Sequence, residues 1–167
     1  FDSRVLNFSV KSGEHTKNID TSLKIWEFLT ESGFKRSDLI INLGGGMITD
    51  LGGFVASTFM RGIKFINVPT SLLAMVDASI GGKTGIDFKK VKNLIGVFEF
   101  AKISLIDLRF LKTLSKRQIA SGYAEMIKHS LISDNSDWEE IRKIKSVKDM
   151  SAEMIDDSIK IKILIID

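Results

Sequence analysis

The chain has 167 residues, of which 44% are hydrophobic and 27% charged, and this composition excludes an intrinsically disordered protein. The formal net charge of +3 comes from 24 basic and 21 acidic residues without a clustered basic stripe, so no nucleic-acid partner is expected. The sequence lacks cysteine, a bilayer-spanning apolar run and a signal peptide, which predicts a cytoplasmic protein without disulfides that does not associate with a membrane.

The first 33 residues predict a strand, a loop and a helix. Residues 5–10 alternate apolar and polar as a half-buried strand does, and the polar run 11–17 predicts a loop. Asp20, Thr21 and Ser22 are candidate N-caps for a helix with apolar residues at helical spacing. Gly33 can end this helix in a left-handed conformation.

A strand-helix-strand unit is predicted next. The apolar run 39–43 leads directly into three glycines, a helix is predicted over 47–59, and a second strand over 63–68. This order predicts an α/β fold with a parallel sheet, whose ligands bind at the carboxyl ends of the strands. The glycine turn before a helix start favours a phosphate, although it is also an ordinary structural turn and lacks the G-x-G-x-x-G spacing.

The following segment carries one carboxylate and one lysine in unusual settings. Asp77 lies in a predicted helix, 71–79, that is otherwise apolar, so it should be paired or functional. Its nearest charged partner in sequence is Lys83, which glycines 81, 82 and 85 surround with a flexible loop suited to an anion. The segment is not a Walker A loop, because the leading glycine is absent.

The remaining chain changes from strands to helices. Lys89, Lys90 and Lys92 predict a solvated loop, and a strand is expected over 103–106. Ser115 can cap a helix to about 132, and an amphipathic helix is predicted over 151–166. A domain boundary is therefore placed near residue 114, between an α/β domain (1–114) and a helical domain (115–167).

Six segments in a fixed order resemble the 3-dehydroquinate synthase family: 44–50, 61–62, 68–73, 77–85, 92–96 and 123–128. The resemblance implies a Rossmann-like NAD-binding parallel-sheet domain followed by the start of an all-helical metal- and substrate-binding domain. It also implies a homodimer of the shikimate pathway. Such an enzyme converts 3-deoxy-D-arabino-heptulosonate 7-phosphate to 3-dehydroquinate and phosphate, with transient NAD redox and a zinc or cobalt ion.

The resemblance also implies residue roles. Asp77 orients the substrate hydroxyl, Lys83 and Asn93 hold the phosphate, Lys128 contacts substrate, and Arg61 reaches the pocket from a neighbouring subunit. Glu125 is the carboxylate metal ligand, although a surface ion pair with Lys128 three positions on is the simpler interpretation. NAD contacts are implied for Ser12, Gly13, Glu14, Lys17, Gly44, Gly45, Gly46, Met47, Ile48, Thr49, Asp50, Thr70, Ser71, Lys83, Lys92, Phe110 and Thr113.

Some positions depart from the family pattern. Thr49 stands where glycine is common, so strain is expected if its φ is positive, and Ser12 replaces a more usual acid. The family's other two metal ligands are histidines in a Gly-His-Thr type motif, which this sequence does not contain. His129 is expected to be structural, and a three-ligand zinc site is not expected within the chain.

The chain starts without methionine, and we expect it to be a catalytically inactive fragment. Two alternatives remain open. One is another sugar-phosphate cyclase, acting on sedoheptulose 7-phosphate, and the other is a non-catalytic NAD-binding module.

Overall fold

The computed structural model of the chain describes residues 4–133, 138–146 and 149–166. Among these residues, no helix combines the length and the apolar character needed to cross a bilayer. The strands are β1 (Leu39–Gly44), β2 (Lys64–Pro69), β3 (Lys83–Phe88) and β4 (Val91–Phe98). The α-helices are α1 (Ile19–Glu31), α2 (Gly46–Thr58), α3 (Lys116–Ile132), α4 (Trp138–Ile141) and α5 (Ala152–Ile166), with 3₁₀ turns at Glu14–Thr16, Phe59–Arg61 and Leu108–Thr113.

Strands β1 and β2 form the parallel pair that the strand-helix-strand pattern predicted. Their register runs from Leu39 opposite Lys64 to Gly44 opposite Pro69, and α2 connects them. The predicted strand at 103–106 is reduced to a single parallel bridge between Ser104 and Asn67 on the other side of β2. The α/β fold class is therefore confirmed, and β1 and β2 end at the same edge of their sheet.

The predicted loops around Lys83 and Lys92 are wrong, because these residues lie in the strands of an antiparallel hairpin. Strands β3 and β4 pair from Lys83 opposite Phe98 to Phe88 opposite Val91. Lys89 and Lys90 form the exposed turn with φ values of 46° and 68°, the combination that a tight two-residue hairpin turn requires. The glycine-rich sequence does not indicate this hairpin, because its strands are stabilised by pairing with each other and not by local strand propensity.

The element after β2 is a π-helical turn, Ala74–Ala78, and not the regular helix predicted over 71–79. Ser79 N–H donates to the Ala74 carbonyl at 3.0 Å, the five-residue spacing of a π-helix. Such turns are frequent at functional sites. Asp77 lies within this turn, so its carboxylate is presented by an unusual backbone.

The two larger hydrophobic clusters hold most of these elements in place. One packs α1 and α2 against β3 through Leu29, Leu51, Phe54, Val55 and Ile86. The other packs the π-helical turn against α3, α4 and α5, and its buried members are Leu72, Met75, Val76, Leu111, Ile119, Met126, Ile141 and Ile155. The second cluster therefore joins residues from both sides of position 114.

Three further predictions differ from the structure. Residues 5–10 form no strand with any described residue, although Phe8 packs against Phe28 with ring centroids 5.2 Å apart. Helix α1 begins earlier than predicted, because Asn18 is its N-cap and accepts from the Thr21 amide. Thr49 lies inside α2 with helical backbone, so the predicted strain is absent, whereas Gly33 ends α1 with φ +70° as predicted.

Candidate functional site

The glycine turn lies at the carboxyl edge of the parallel strands, where the sequence places it. Thr70 N–H donates to the Gly44 carbonyl at 2.8 Å, and Gly45 is the N-cap of α2. A Cβ added to Gly45 would lie 3.3 Å from Ser71 Oγ, and one added to Gly46 would lie 3.1 Å from the Ala78 methyl group. The turn is thus packed against the segment that follows β2, and the first amides of α2 open onto the same edge.

Lys17 is the centre of a buried polar cluster. Its side chain is only 2% exposed, and Nζ lies 3.1 Å from carboxylate oxygens of both Asp50 and Glu14. Nζ also donates to Asn93 Oδ1 at 2.5 Å and lies 3.8 Å from Asp87 Oδ1. This cluster ties the 11–17 loop, helix α2 and the hairpin to one another, so Lys17 positions several of the predicted site residues.

The charges in this cluster perturb one another. Burial opposes the charged form of Lys17, but ion pairs and hydrogen bonds with Asp50 and Glu14 outweigh it and raise the pKa of the ammonium. Burial also raises the pKa of Asp50 to about 6, against the attraction of Lys17. Lys17 therefore keeps its charged form over a wide pH range, whereas the pKa of Asp50, about 6, lies close to neutral pH.

A cleft of about 390 Å³ opens between the hairpin, the π-helical turn and α5. Four polar residues singled out in the sequence line it, namely Asp50, Asp77, Lys83 and Asn93. Lys83 is exposed and forms no ion pair with any described residue, so its ammonium is available to a ligand. The cleft combines carboxylates that can hold hydroxyl groups with a cation that can hold an anion.

Lys162 also lines the cleft, and the sequence analysis missed it. Its Nζ lies 2.6 Å from Asp77 Oδ1, and the side chain is 16% exposed. The partner of Asp77 is therefore Lys162 and not Lys83, its nearest charged residue in the sequence. A signal was present in the sequence, because Lys162 shares a helical face with the apolar Ile155 and with Ser158, both buried, where a lysine needs a partner.

Glu125 and His129 lie close to Asp77, which lines the cleft. Lys128 pairs with Glu125 at 2.6 Å, as their spacing predicted. His129 is 1% exposed, its Nε2 lies 3.4 Å from Glu125 Oε1, and burial lowers the pKa of the imidazole. One ligand atom from each of Asp77, Glu125 and His129 lies within 4.8 Å of the others.

This cluster was not anticipated from the sequence. The sequence predicts a structural role for His129 and no three-ligand zinc site within the chain. The four-residue spacing between Glu125 and His129, which places both on one helix face, is the signal that would have found it. Two carboxylates and an imidazole form a donor set that suits zinc or cobalt.

The remaining predicted residues lie outside the cleft lining. Arg61 is exposed and has a φ of 65°, and Lys92 is exposed on β4. Phe110 packs against the second hydrophobic cluster, and Thr113 Oγ1 donates to the Phe110 carbonyl at 3.3 Å. Ser12 and Gly13 are exposed beside the Lys17 cluster, while Met47, Ile48 and Thr70 are partly buried at the glycine turn.

Comparison with known proteins identifies related sequences. The family model described as 3-dehydroquinate synthase N-terminal matches residues 7–121. A 3-dehydroquinate synthase of Lactococcus lactis subsp. cremoris is 51% identical over 146 residues, which are 87% of this chain and 41% of that protein. A bifunctional 3-dehydroquinate synthase/phosphatase of Fusobacterium nucleatum is 46% identical over 165 residues, 95% of this chain and 25% of that protein. The chain therefore spans less than half the length of these relatives.

Solved structures with the same fold include two synthases. The 2-epi-5-epi-valiolone synthase of Streptomyces hygroscopicus, with NAD⁺ and Zn²⁺ bound, matches with a TM-score of 0.81 and 26% identity, over 93% of this chain and 45% of that one. A 2-deoxy-scyllo-inosose synthase complexed with carbaglucose-6-phosphate, NAD⁺ and Co²⁺ matches with a TM-score of 0.80 and 29% identity. That match covers 92% of this chain and 42% of the synthase.

Proposed function

The chain belongs to the 3-dehydroquinate synthase family, and we propose that the protein containing it converts 3-deoxy-D-arabino-heptulosonate 7-phosphate to 3-dehydroquinate and phosphate. The observation that carries this proposal is the convergence of Asp77, Lys83 and Asn93 in one cleft. These residues come from the π-helical turn and both hairpin strands. In the folded hairpin, a cation suited to a phosphate and a carboxylate suited to a hydroxyl group line the same cleft.

In the proposed reaction, the chain's own residues bind and orient the substrate. Lys83 is exposed at the cleft and would hold the phosphate by a charge-assisted hydrogen bond. Asn93 lies across the hairpin, where its side-chain amide is positioned by Lys17. Asp77, held by Lys162 at 2.6 Å, would accept a hydrogen bond from a substrate hydroxyl.

We propose that NAD binds along the glycine turn, with its pyrophosphate at the first amides of α2. Gly44, Gly45 and Gly46 bring the backbone to this edge without side chains, and the helix N-terminus favours an anion. Asp50 lies one turn into α2 and would meet a ribose hydroxyl. Contacts from Ser12, Gly13, Glu14, Thr70, Ser71, Lys92, Phe110 and Thr113 belong to the same proposal.

A divalent zinc or cobalt ion is proposed to bind at Glu125. The residues present fit such an ion, because a carboxylate oxygen of Glu125 lies within 4.8 Å of donor atoms of Asp77 and His129. When bound, NAD supplies a hydride acceptor and the metal acidifies a substrate alcohol. Lys128, which is exposed beside Glu125, would contact the substrate from the helix.

The wider organisation is also a proposal. We infer an NAD-binding unit at 1–114 and the beginning of a helical unit at 115–167, packed through their shared hydrophobic cluster. We further propose a cytoplasmic homodimer in which Arg61, exposed at the end of its 3₁₀ turn, reaches a neighbouring subunit's phosphate pocket. Analytical ultracentrifugation and phosphate titration of an Arg61→Ala variant would test this assembly.

The central test measures phosphate release by the protein as its gene encodes it, with heptulosonate phosphate and with sedoheptulose 7-phosphate in parallel. Release from the first compound alone is expected, whereas release from the second alone would reject the proposal in favour of another cyclase. Lys83→Ala should weaken substrate binding by about 10- to 100-fold. The matched control is Lys64→Ala, because Lys64 is exposed at the opposite, amino end of β2 and should be silent.

A further inference from the structure

We propose that Asp87 is a positioning residue of the phosphate site, because its carboxylate holds the backbone from which Asn93 reaches the cleft. The inference rests on the proposed function to the extent that Asn93 binds the substrate phosphate. It goes further, because it gives a role to a carboxylate outside the cleft lining and explains how the Asn93 amide becomes a donor to an anion.

The pairing of the hairpin strands is irregular at Asp87. The regular ladder is interrupted between two pairs, Ile86–Ile95 and Phe88–Val91. In this interval β3 has the single residue Asp87, whereas β4 has three residues, 92–94. Extra residues of this kind form a β-bulge, which is frequent next to active sites and changes the direction of a side chain. Asn93 is the middle residue of the bulge and has a left-handed backbone, with a φ of 52°.

The carboxylate of Asp87 holds this bulge together. Asn93 N–H donates to Asp87 Oδ1 at 2.9 Å, which is a charge-assisted hydrogen bond. The Asp87 amide in turn donates to the Lys17 carbonyl at 2.8 Å, so the backbone of Asp87 is fixed to the 11–17 loop. The Asp87 side chain is 20% exposed, whereas every residue of β4 is exposed. A partly buried and anchored residue therefore fixes the conformation of an exposed strand at Asn93.

Lys17 determines which end of the Asn93 amide is left for a ligand. Lys17 Nζ donates to Asn93 Oδ1 at 2.5 Å. Because an ammonium group has only donors, the amide oxygen must face it and the NH₂ group is directed away from it. Asn93 lines the cleft, and no hydrogen bond among the described residues involves its Nδ2. Its two N–H groups therefore suit an anionic oxygen in the same cleft as the Lys83 ammonium.

Asp87 and Lys17 thus hold Asn93 at two different points, the backbone amide and the side-chain oxygen. Their own ion pair is long, with Lys17 Nζ 3.8 Å from Asp87 Oδ1. The same ammonium lies 3.1 Å from carboxylate oxygens of both Asp50 and Glu14. Loss of the Asp87 carboxylate should therefore leave Lys17 paired and act mainly through Asn93.

The test uses the protein as its gene encodes it. Calorimetry measures the affinity for NAD and the affinity of the NAD-loaded form for inorganic phosphate, and steady-state kinetics give kcat and KM with heptulosonate phosphate. Asp87→Ala should weaken phosphate binding and raise KM by about 5- to 10-fold, while kcat and NAD affinity stay within about 2-fold of wild type. A merely structural role would change NAD affinity in parallel, and that result would overturn the proposal.

Two single variants control for charge and for the loss of a turn carboxylate. Asp87→Asn keeps an acceptor oxygen and should recover most of the phosphate affinity, and a loss as large as that of Asp87→Ala would overturn the proposal. Asp38→Ala is the matched control, because Asp38 also accepts a backbone amide, that of Lys35 at 2.7 Å, but lies next to the amino end of β1. It should change neither phosphate nor NAD affinity.

A double variant tests whether Asp87 acts through Asn93. Asn93→Gly removes the amide and adopts a positive φ without assistance, so it should weaken phosphate binding by about 10- to 100-fold. Adding Asp87→Ala to Asn93→Gly should cause no further loss, and a further loss would overturn the proposal. This comparison also serves if Asp87→Ala alone does not fold, because glycine at position 93 needs no carboxylate to hold its backbone.

The variants separate failure of this inference from failure of the proposed function. Weak phosphate binding in Asn93→Gly with normal binding in Asp87→Ala would overturn only the role of Asp87. Normal binding in both would also reject Asn93 as a phosphate-binding residue. If both variants bind inorganic phosphate weakly but the protein releases no phosphate from heptulosonate phosphate, the proposed substrate is wrong and the role of Asp87 stands.

Discussion

Replacing Lys17 by methionine should destabilise the protein strongly and in a pH-dependent way. Methionine preserves much of the buried volume but removes the only ammonium among the described residues that contacts Asp50. Lys17 is 2% exposed and the Asp50 side chain 20% exposed, so an uncompensated carboxylate would remain largely buried. Breaking a buried pair costs about 3–5 kcal/mol, and the partial exposure of Asp50 and Glu14 reduces this to about 2–3 kcal/mol near pH 8.

The pH dependence follows from Asp50. Burial raises its pKa in the folded state to about 6, above the value of about 3.9 in an unfolded chain. The protonated form of Asp50 therefore favours folding below pH 4, and this contribution is lost as the pH rises through 6. Without the ammonium of Lys17, the pKa of Asp50 in the folded state rises further. The variant therefore loses more folding stability than the wild type as the pH rises. The difference in unfolding free energy between wild type and variant should grow from pH 4 to pH 8.

Urea unfolding followed by circular dichroism at pH 4.5, 6 and 8 measures this difference. Lys160→Met is the matched control, since Lys160 pairs with Asp156 and Asp157 on the exposed face of α5 and should show no such pH trend. A Lys17→Met effect of equal size at all three pH values would refute the assigned coupling to Asp50. An effect as small as that of the control would refute the buried cluster altogether.

Three further outcomes are expected. Gly122→Ala should destabilise the protein by about 1–3 kcal/mol in thermal unfolding, because the added Cβ would lie 2.5 Å from the backbone nitrogen of Leu73. Ser121→Ala, on the exposed face of α3, should leave stability unchanged. Asp50→Ala should weaken NAD binding in calorimetry without unfolding the protein, and a lower melting temperature with unchanged affinity would make Asp50 purely structural. Lys162→Met should lower turnover by about 10-fold at saturating substrate, because it releases the Asp77 carboxylate from a largely buried ion pair. Full activity would show that this pair does not position the site.

The sequence itself determined those features that depend on neighbours along the chain. The apolar runs at β1 and β2, separated by a helix, were sufficient to predict the parallel pair and the edge where the glycine turn lies. Gly33 ends α1, and Ser115 caps α3 by accepting from the Gln118 amide, because both conformations follow from the residue itself. The family resemblance located the candidate residues, since motifs in a fixed order identify positions without a structure.

Only the tertiary structure decided which charged side chains meet. Lys17 contacts Asn93 from 76 positions away, Asp77 pairs with Lys162 of α5, and a ring nitrogen of His129 lies within 4.8 Å of a carboxylate oxygen of Asp77. These contacts depend on how the hairpin packs against α2 and how α5 packs against α3. Local preferences act within a few residues, whereas an ion pair depends on distance in space and on burial. A lysine on an amphipathic helix can therefore be recognised from sequence, but its partner is set by the packing of the core.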